Sequence, residues 1–411
     1  MGEIIMTSRK MLSFITAALC TASIFSGCSS AAVSKKSEAV TIKCFMQSLP
    51  TIQQTELLDL KDKFEKNHTS IKIEIEDGGN KYENEINNKI QSGQAPDIFM
   101  MDSVSTSKLA AKGKLLSFDE LIDKKDLEDF NVNLLNQFRI NGKLYGLPEA
   151  GQSLGLFYNK DMFNEAGLKP PTTWEELEAA ATKLTKGNVT GLSVEYSPAF
   201  FIPFMLQGGG KIAEGNKPSF NSEACAKGLN FFNSLFAKKI AADGKTLSRQ
   251  YSVEAFIKKD AAMALGFSGD ANYVISSNPG FNWGVVVLPK GNTTGSFFQS
   301  TGIVVSNSTK NRKEAVEVAK FFSEGNVQRL IAESGIAIPS RRSMQQEYTK
   351  KYPQMEAFLT MLNNSEPLNY GDDLGKLFNA LNDAGTKLQS GQMKDAKEAL
   401  DYAVNLYNGA H

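Results

Sequence analysis

Histidine is nearly absent: His68 and His411 are the two in 411 residues, too few for a His-based metal cluster, and His411 is the only one downstream of Ser153 for a Ser-His-Asp triad. Net charge is absent too, since 45 basic side chains balance 45 acidic ones, which removes the electrostatic case for nucleic acid as a partner. Tryptophan is confined to Trp174 and Trp283. Of the four cysteines, Cys44 in an expected strand and Cys225 on the apolar face of an expected helix read as buried small hydrophobes, not as a disulfide. Past residue 27 no apolar run approaches the roughly 20 residues of a membrane helix. No acidic run has calcium-loop spacing. Gly151-Gln152-Ser153-Leu154-Gly155 matches a nucleophile elbow by letters, but an apolar strand follows Ser153 where a hydrolase needs a helix. Gly244-Lys245-Thr246 lacks the P-loop glycine five residues earlier, where Lys239 stands. Acids are plentiful, so a carboxylate-pair hydrolase stays open at this point.

What is present begins with Arg9-Lys10, a mostly apolar run from Met11 to Phe25, and Ser26-Gly27-Cys28. This is the pattern of a secretory signal over residues 1–27. Phe25-Ser26-Gly27-Cys28 resembles a bacterial lipobox, although Leu is commoner at its first position. Cys28 is therefore the expected lipidation site, followed by a small, polar tether over 28–39.

A chain of this length exceeds what one core usually serves, and 41% hydrophobic residues suffice for two. From Val40 the pattern runs strand, helix, strand, helix, strand. Val40 to Met46 is the first strand, a helix follows from about Thr55 to Lys66, and Ile71 to Glu76 alternates strictly. Tyr82, Ile86 and Ile90 then share a helical face stopped by Gly93, and an apolar strand ends at Asp102. Such alternation implies parallel crossovers, and ligands gather at the carboxyl ends of parallel strands, which makes Gln47, Met101 and Asp102 candidates. Residues 141–177 carry an Asn141-Gly142 turn, a short strand ending at Pro148, a Gly-rich crossing from Gly151 to Gly155, and an apolar strand from Leu154 to Tyr158. A helix then opens with Thr173 and Glu176 at capping-box spacing. At the ends of expected elements Trp174 and Trp283 read as packing residues.

Gly142-Lys143, Gly146-Leu147-Pro148, Tyr158-Asn159-Lys160-Asp161 and Pro171-Thr172-Thr173-Trp174-Glu175-Glu176-Leu177 resemble, in order and spacing, the family 1 extracellular solute-binding proteins of ATP-binding-cassette importers, the family of the maltodextrin-binding protein. Ala95-Pro96-Asp97 and Ile338-Pro339-Ser340-Arg341 extend the resemblance over nearly all of residues 40–411. It implies an α/β, two-lobed periplasmic-binding-protein-like fold of type II, each lobe a mainly parallel sheet flanked by helices, with the ligand cleft between lobes. Residues 40–150 and 300–342 would form the N-terminal lobe, and 151–299 and 343–411 the C-terminal lobe. Chain crossings would fall near Glu149–Gly151, Phe298–Thr301 and Arg341–Ser343. Where the maltodextrin binder has a sugar-binding carboxylate this chain has Gln152. The family's stacking Trp gives way to Gly266-Phe267-Ser268-Gly269-Asp270, and its stacking Tyr corresponds to Ala199, beside Phe200. Gln152, Phe200, Phe267, Asp270 and Gly302 thus join the candidate ligand residues.

The function so implied is a non-enzymatic, lipid-anchored receptor on the extracytoplasmic face of the cell membrane. It would need no cofactor or metal, act as a monomer, and hand a neutral sugar or short oligosaccharide to the permease subunits of an importer. The rival readings are a receptor of the same fold for a polyamine or a phosphorylated glycerol, and a secreted carbohydrate-active enzyme.

Overall fold

The computed structural model describes residues 39–47, 51–215, 217–367 and 373–409. Cys28, the signal segment, nearly all of the tether, and His411 lie outside them. No helix among the described residues is long and apolar enough to cross a membrane.

Among the described residues, eleven strands form the main sheet. They are β1 (Val40–Met46), β2 (Ile71–Asp77), β3 (Ile98–Asp102), β4 (Gly146–Asn159), β5 (Thr190–Ser193), β6 (Ala241–Ala242), β7 (Ala261–Phe267), β8 (Trp283–Val286), β9 (Phe297–Val305), β10 (Ile338–Pro339) and β11 (Glu366–Pro367). The order is β6-β5-β7-β4-β9-β3-β1-β2, with β8 and β10 also on β4 and β11 on β9. On one flank β1 runs parallel to β2 and β3, and on the other β5 runs parallel to β6 and β7. These are the helix-connected strands, and a helical crossover returns the chain in its original direction. The centre is antiparallel: β4 pairs with β9, β7, β8 and β10, and β9 with β3. The mainly parallel arrangement expected for each lobe therefore holds at the flanks, while β4 and β9, carrying the chain out and back, make the sheet mixed and continuous.

β4 departs most from the pattern read in the sequence. The Gly-rich crossing expected at 151–155 is the middle of one 14-residue strand. Its glycines serve packing: a Cβ on Gly151 would lie 2.7 Å from both Leu134 Cδ2 and Leu362 Cδ1, and one on Gly155 2.6 Å from Phe358 Cε1. Glycine in a strand often marks such a close approach. Just ahead of Arg341–Ser343, β10 pairs with Ala150 and Gly151. Arg341 instead lays its guanidinium 4.3 Å from the Phe130 ring centroid.

The cap at Thr173 forms, its hydroxyl accepting the Glu176 N–H at 3.3 Å, while Glu176 accepts from Thr172 N–H and Oγ–H, each at 2.7 Å. Trp174 is buried, stacked 4.5 Å from Phe231, with its indole N–H donating to Gln207 Oε1 at 2.7 Å, so it packs. Cys44 and Cys225 are free and buried.

One hydrophobic cluster spans Ile42 to Leu147 and Ile303 to Leu330. A second spans Leu154 to Phe297 and continues through Met361 to Ala403. A third, with Leu134, Phe157, Phe256, Phe298, Ile338, Tyr348 and Phe358, lies against the crossing strands. Helices Arg342–Lys351 and Glu356–Asn364 belong to this third cluster, and helices Leu374–Gln389 and Ala396–Asn408 to the second.

Candidate functional site

A cavity of about 410 Å³ opens over β4 and β9, between the end of β3 and the start of helix Leu374–Gln389. Its first wall comes from the end of β3 and the helices on either side of that strand: Glu83, Asp102, Ser103, Val104, Ser105 and Lys108. The floor is Ala150 and Gln152 of β4, Gln299, Ser300 and Thr301 of β9, and Ala337. Leu374 and Gly375 form the far wall. No aromatic side chain among the described residues lines it.

Asp102 terminates β3 and N-caps helix Ser103–Ala111, accepting the Ser105 N–H at 2.8 Å. An acid suits a helix start because it accepts an otherwise unpaired N–H and meets the positive end of the dipole. Glu83 has its carboxyl raised above the usual range by burial, with the negative charge of Asp102 adding to the effect. Three positions beyond Ser105, Lys108 reaches 3.7 Å from Asp373 Oδ1 on the opposite wall. Asp373 caps helix Leu374–Gln389 by accepting the Lys376 N–H at 3.0 Å. That bond, and after it the Lys108 charge, hold its carboxyl below the usual range.

On the floor, Ser300 Oγ donates to the Ala150 carbonyl at 3.1 Å and Thr301 Oγ1 to the Glu149 carboxylate at 3.5 Å. Gln328, wholly buried, donates to the Glu149 carbonyl at 2.8 Å and accepts from Ser340 N–H at 2.7 Å. Ser340 Oγ in turn donates to the Pro148 carbonyl at 2.7 Å. Buried amide and hydroxyl groups thus tie β4 to the segment that follows helix Gly325–Ser334.

Of the residues expected to hold ligand, Asp102 and Gln152 line this one cavity. Gln152 passes close to Gly269, where a Cβ would stand 3.2 Å from its Oε1. The other six do not line it. Met101 is 4% exposed in the first core, because β3 is covered on both faces up to Met101. Gly302 sits where a Cβ would meet Phe138 at 2.5 Å. Gln47 is exposed at the end of β1, with its N–H 3.3 Å from Met100 Sδ. Phe200 and Phe267 contact each other edge-on at 5.7 Å against the second core. Asp270 accepts the Phe267 N–H at 2.7 Å and is raised above the usual carboxylate range by burial, a local structural bond. Ser153 is fully buried and its hydroxyl donates to the Phe358 carbonyl at 2.7 Å.

Sequence reasoning missed Glu83, Lys108, Gln299, Ser300, Thr301 and the Leu374-Gly375 wall. Lys108 was accessible from the Asp102 cap and helical spacing, and Ser300 and Thr301 from their place on a crossing strand. The Leu374 wall, more than 250 residues distant in sequence from Asp102, had no local signal. No group of three or more His, Cys, Asp or Glu side chains among the described residues could hold a metal.

Residues 50–324 match the family model of bacterial extracellular solute-binding proteins. The galactooligosaccharide-binding protein of Bacillus subtilis is 26% identical over 332 residues, 77% of each chain. An ABC substrate-binding protein of Listeria monocytogenes, solved in complex with cycloalternan, superposes with a TM-score of 0.79 at 25% identity, covering 90% of this chain and 99% of that one. A cyclo/maltodextrin-binding protein complexed with maltotetraose has the same TM-score at 20% identity, over 91% and 98% of the chains, and so shares the two-lobed fold. With the family model matching well over half of its length, this chain belongs to the bacterial extracellular solute-binding proteins.

Proposed function

We propose that this protein is the receptor of an ATP-binding-cassette importer, capturing a neutral sugar or short oligosaccharide between its lobes without catalysis. The observation that carries the reading is the cavity at the strand crossings, lined by carboxylates, amides and hydroxyls. These groups accept from and donate to sugar hydroxyls, and a ligand touching both walls stabilises closure. Lys108 is engaged by Asp373, and the near wall carries Glu83 and Asp102, so the site disfavours anions such as a phosphorylated glycerol. The relatives, a galactooligosaccharide binder and a receptor solved with cycloalternan, support the carbohydrate class. Residues 40–150 with 300–342, and 151–299 with 343–411, are proposed as the lobes, Cys28 as the lipid anchor, and the permease subunits as partners of the monomer.

A thermal-shift screen of mono- and oligosaccharides, followed by calorimetry, tests this, because a ligand that binds only the folded state raises its melting temperature. At least one saccharide is expected to bind and to be recovered intact after overnight incubation. Glu83 and Asp102 are also what a polyamine would seek. Binding of spermidine with no saccharide response would replace the sugar reading, and a shortened oligosaccharide would replace the receptor reading with an enzyme.

A further inference from the structure

Where β4 and β9 cross between lobes their register slips: Thr301 faces Ala150 and Gly302 faces Pro148, leaving Glu149 as the extra residue. A bulge of this kind bends the strand and re-aims one side chain. Here it sends a carboxyl inward, 9% exposed, where the one hydrogen bond it accepts among the described residues is the long one from the cavity-lining Thr301.

The groups facing it offer no countercharge. From helix Tyr82–Gln91 the Tyr82 hydroxyl is already used, donating to the Met100 carbonyl and accepting the Met100 N–H, each at 2.7 Å. Helix Gly325–Ser334 presents the neutral amide of Gln328 to the Glu149 carbonyl, and its Arg329 is held by Glu333 at 2.7 Å and Glu56 at 3.4 Å. Ser340, beside β10, is neutral and bonded to Pro148 and Gln328. On the cavity wall Glu83 and Asp102 are acids, and Lys108 faces Asp373.

We propose that Glu149 is a proton-linked element of the hinge: protonated, it lets the crossing strands pack with the cleft closed, and ionised, it favours an opened crossing in which water reaches the carboxylate past Thr301. Burial pushes this carboxyl up to about 7, with the Thr301 hydroxyl a smaller opposing influence. The sign follows from linkage. A closed form that holds its proton more tightly than an open, hydrated form is favoured at low pH and loses ground as pH rises through that value. The closed-to-open ratio falls by up to about tenfold for each pH unit between the ordinary carboxylate range and that value, and levels off above it.

The inference extends the receptor reading, yet it is tested without ligand, so its failure leaves sugar binding untouched. Small-angle scattering of the ligand-free full chain at about pH 5.5 and about pH 8.5 should give a larger radius of gyration for the wild type at the higher pH. Glu149→Gln, the neutral near-isostere, should keep the smaller radius at both. Thr301→Val, which removes the hydroxyl that supports the ionised form, should shift the wild-type transition to higher pH only slightly. Circular dichroism checks folding, and Glu149→Met replaces the Gln variant if that one is unfolded. A wild-type radius that does not change with pH, or an equal change in the neutral variant, overturns the proposal.

Discussion

Asp102 does two things that substitution can separate. Its carboxylate caps helix Ser103–Ala111 through the Ser105 N–H and also lines the cavity. Asn caps helices about as well as Asp, so Asp102→Asn is expected to melt close to wild type while losing a charged acceptor for sugar hydroxyls. That loss costs on the order of 1–3 kcal/mol, roughly tenfold or more in affinity. Asp102→Ala should bind as weakly and lose about 1 kcal/mol of stability besides. Calorimetry with the saccharide giving the largest thermal shift, beside melting curves, checks both. Wild-type affinity in the Asn variant would remove Asp102 from the ligand's contacts. Asp270 had the same standing in the sequence, but the fold uses it to hold the Phe267 N–H, and nothing in the letters of 266–270 distinguishes these two uses of an acid.

At the scale of an element, β4 shows how one composition supports two readings. Gly151 and Gly155 beside Pro148 satisfy the signals of an irregular crossing, and the same glycines are what a central strand needs when side chains press on its backbone. The neighbours decide: Leu134 and Leu362 come to 2.7 Å of an added Cβ at 151. Gly151→Ala should therefore destabilise the ligand-free protein by about 1–3 kcal/mol through overpacking, read as a lower denaturant midpoint at unchanged slope. Unaltered stability would show that Leu134 and Leu362 yield without cost, leaving the glycine to be explained otherwise. By contrast, β1, β2 and the capped helix from Trp174 were legible locally, since alternation and cap residues are properties of neighbouring positions.

Across the whole molecule, Lys108 and Asp373 join the two walls of the cavity. Both side chains are substantially exposed, 41% and 55%, so the pair is weak and screened by salt. Its contribution to closure is expected to be small but measurable, with Lys108→Ala raising the dissociation constant roughly two- to fivefold at low ionic strength. The difference should vanish at about 1 M salt. Asp373→Asn, which keeps an N-cap acceptor for the Lys376 N–H but removes the charge, should weaken binding by about as much. Equal affinity of Lys108→Ala and wild type at low salt would mean that the pair does not contribute to closure.

The sequence by itself determined the alternation of strands and helices, the apolar faces that make separate cores, the Thr173 cap, and the motif order of the family, because each rests on contacts between residues near in the chain. Its two histidines are also too few for a His-based metal cluster. Only the tertiary structure decided that β4 and β9 run through as one antiparallel centre, that Met101 and Gly302 pack while Ser300 and Thr301 face the cavity, and that Leu374 and Gly375 meet Asp102. Those outcomes depend on register and on closing loops of hundreds of residues. A one-residue slip turns every side chain to the opposite face of a strand, and the bulge at Glu149 is such a slip.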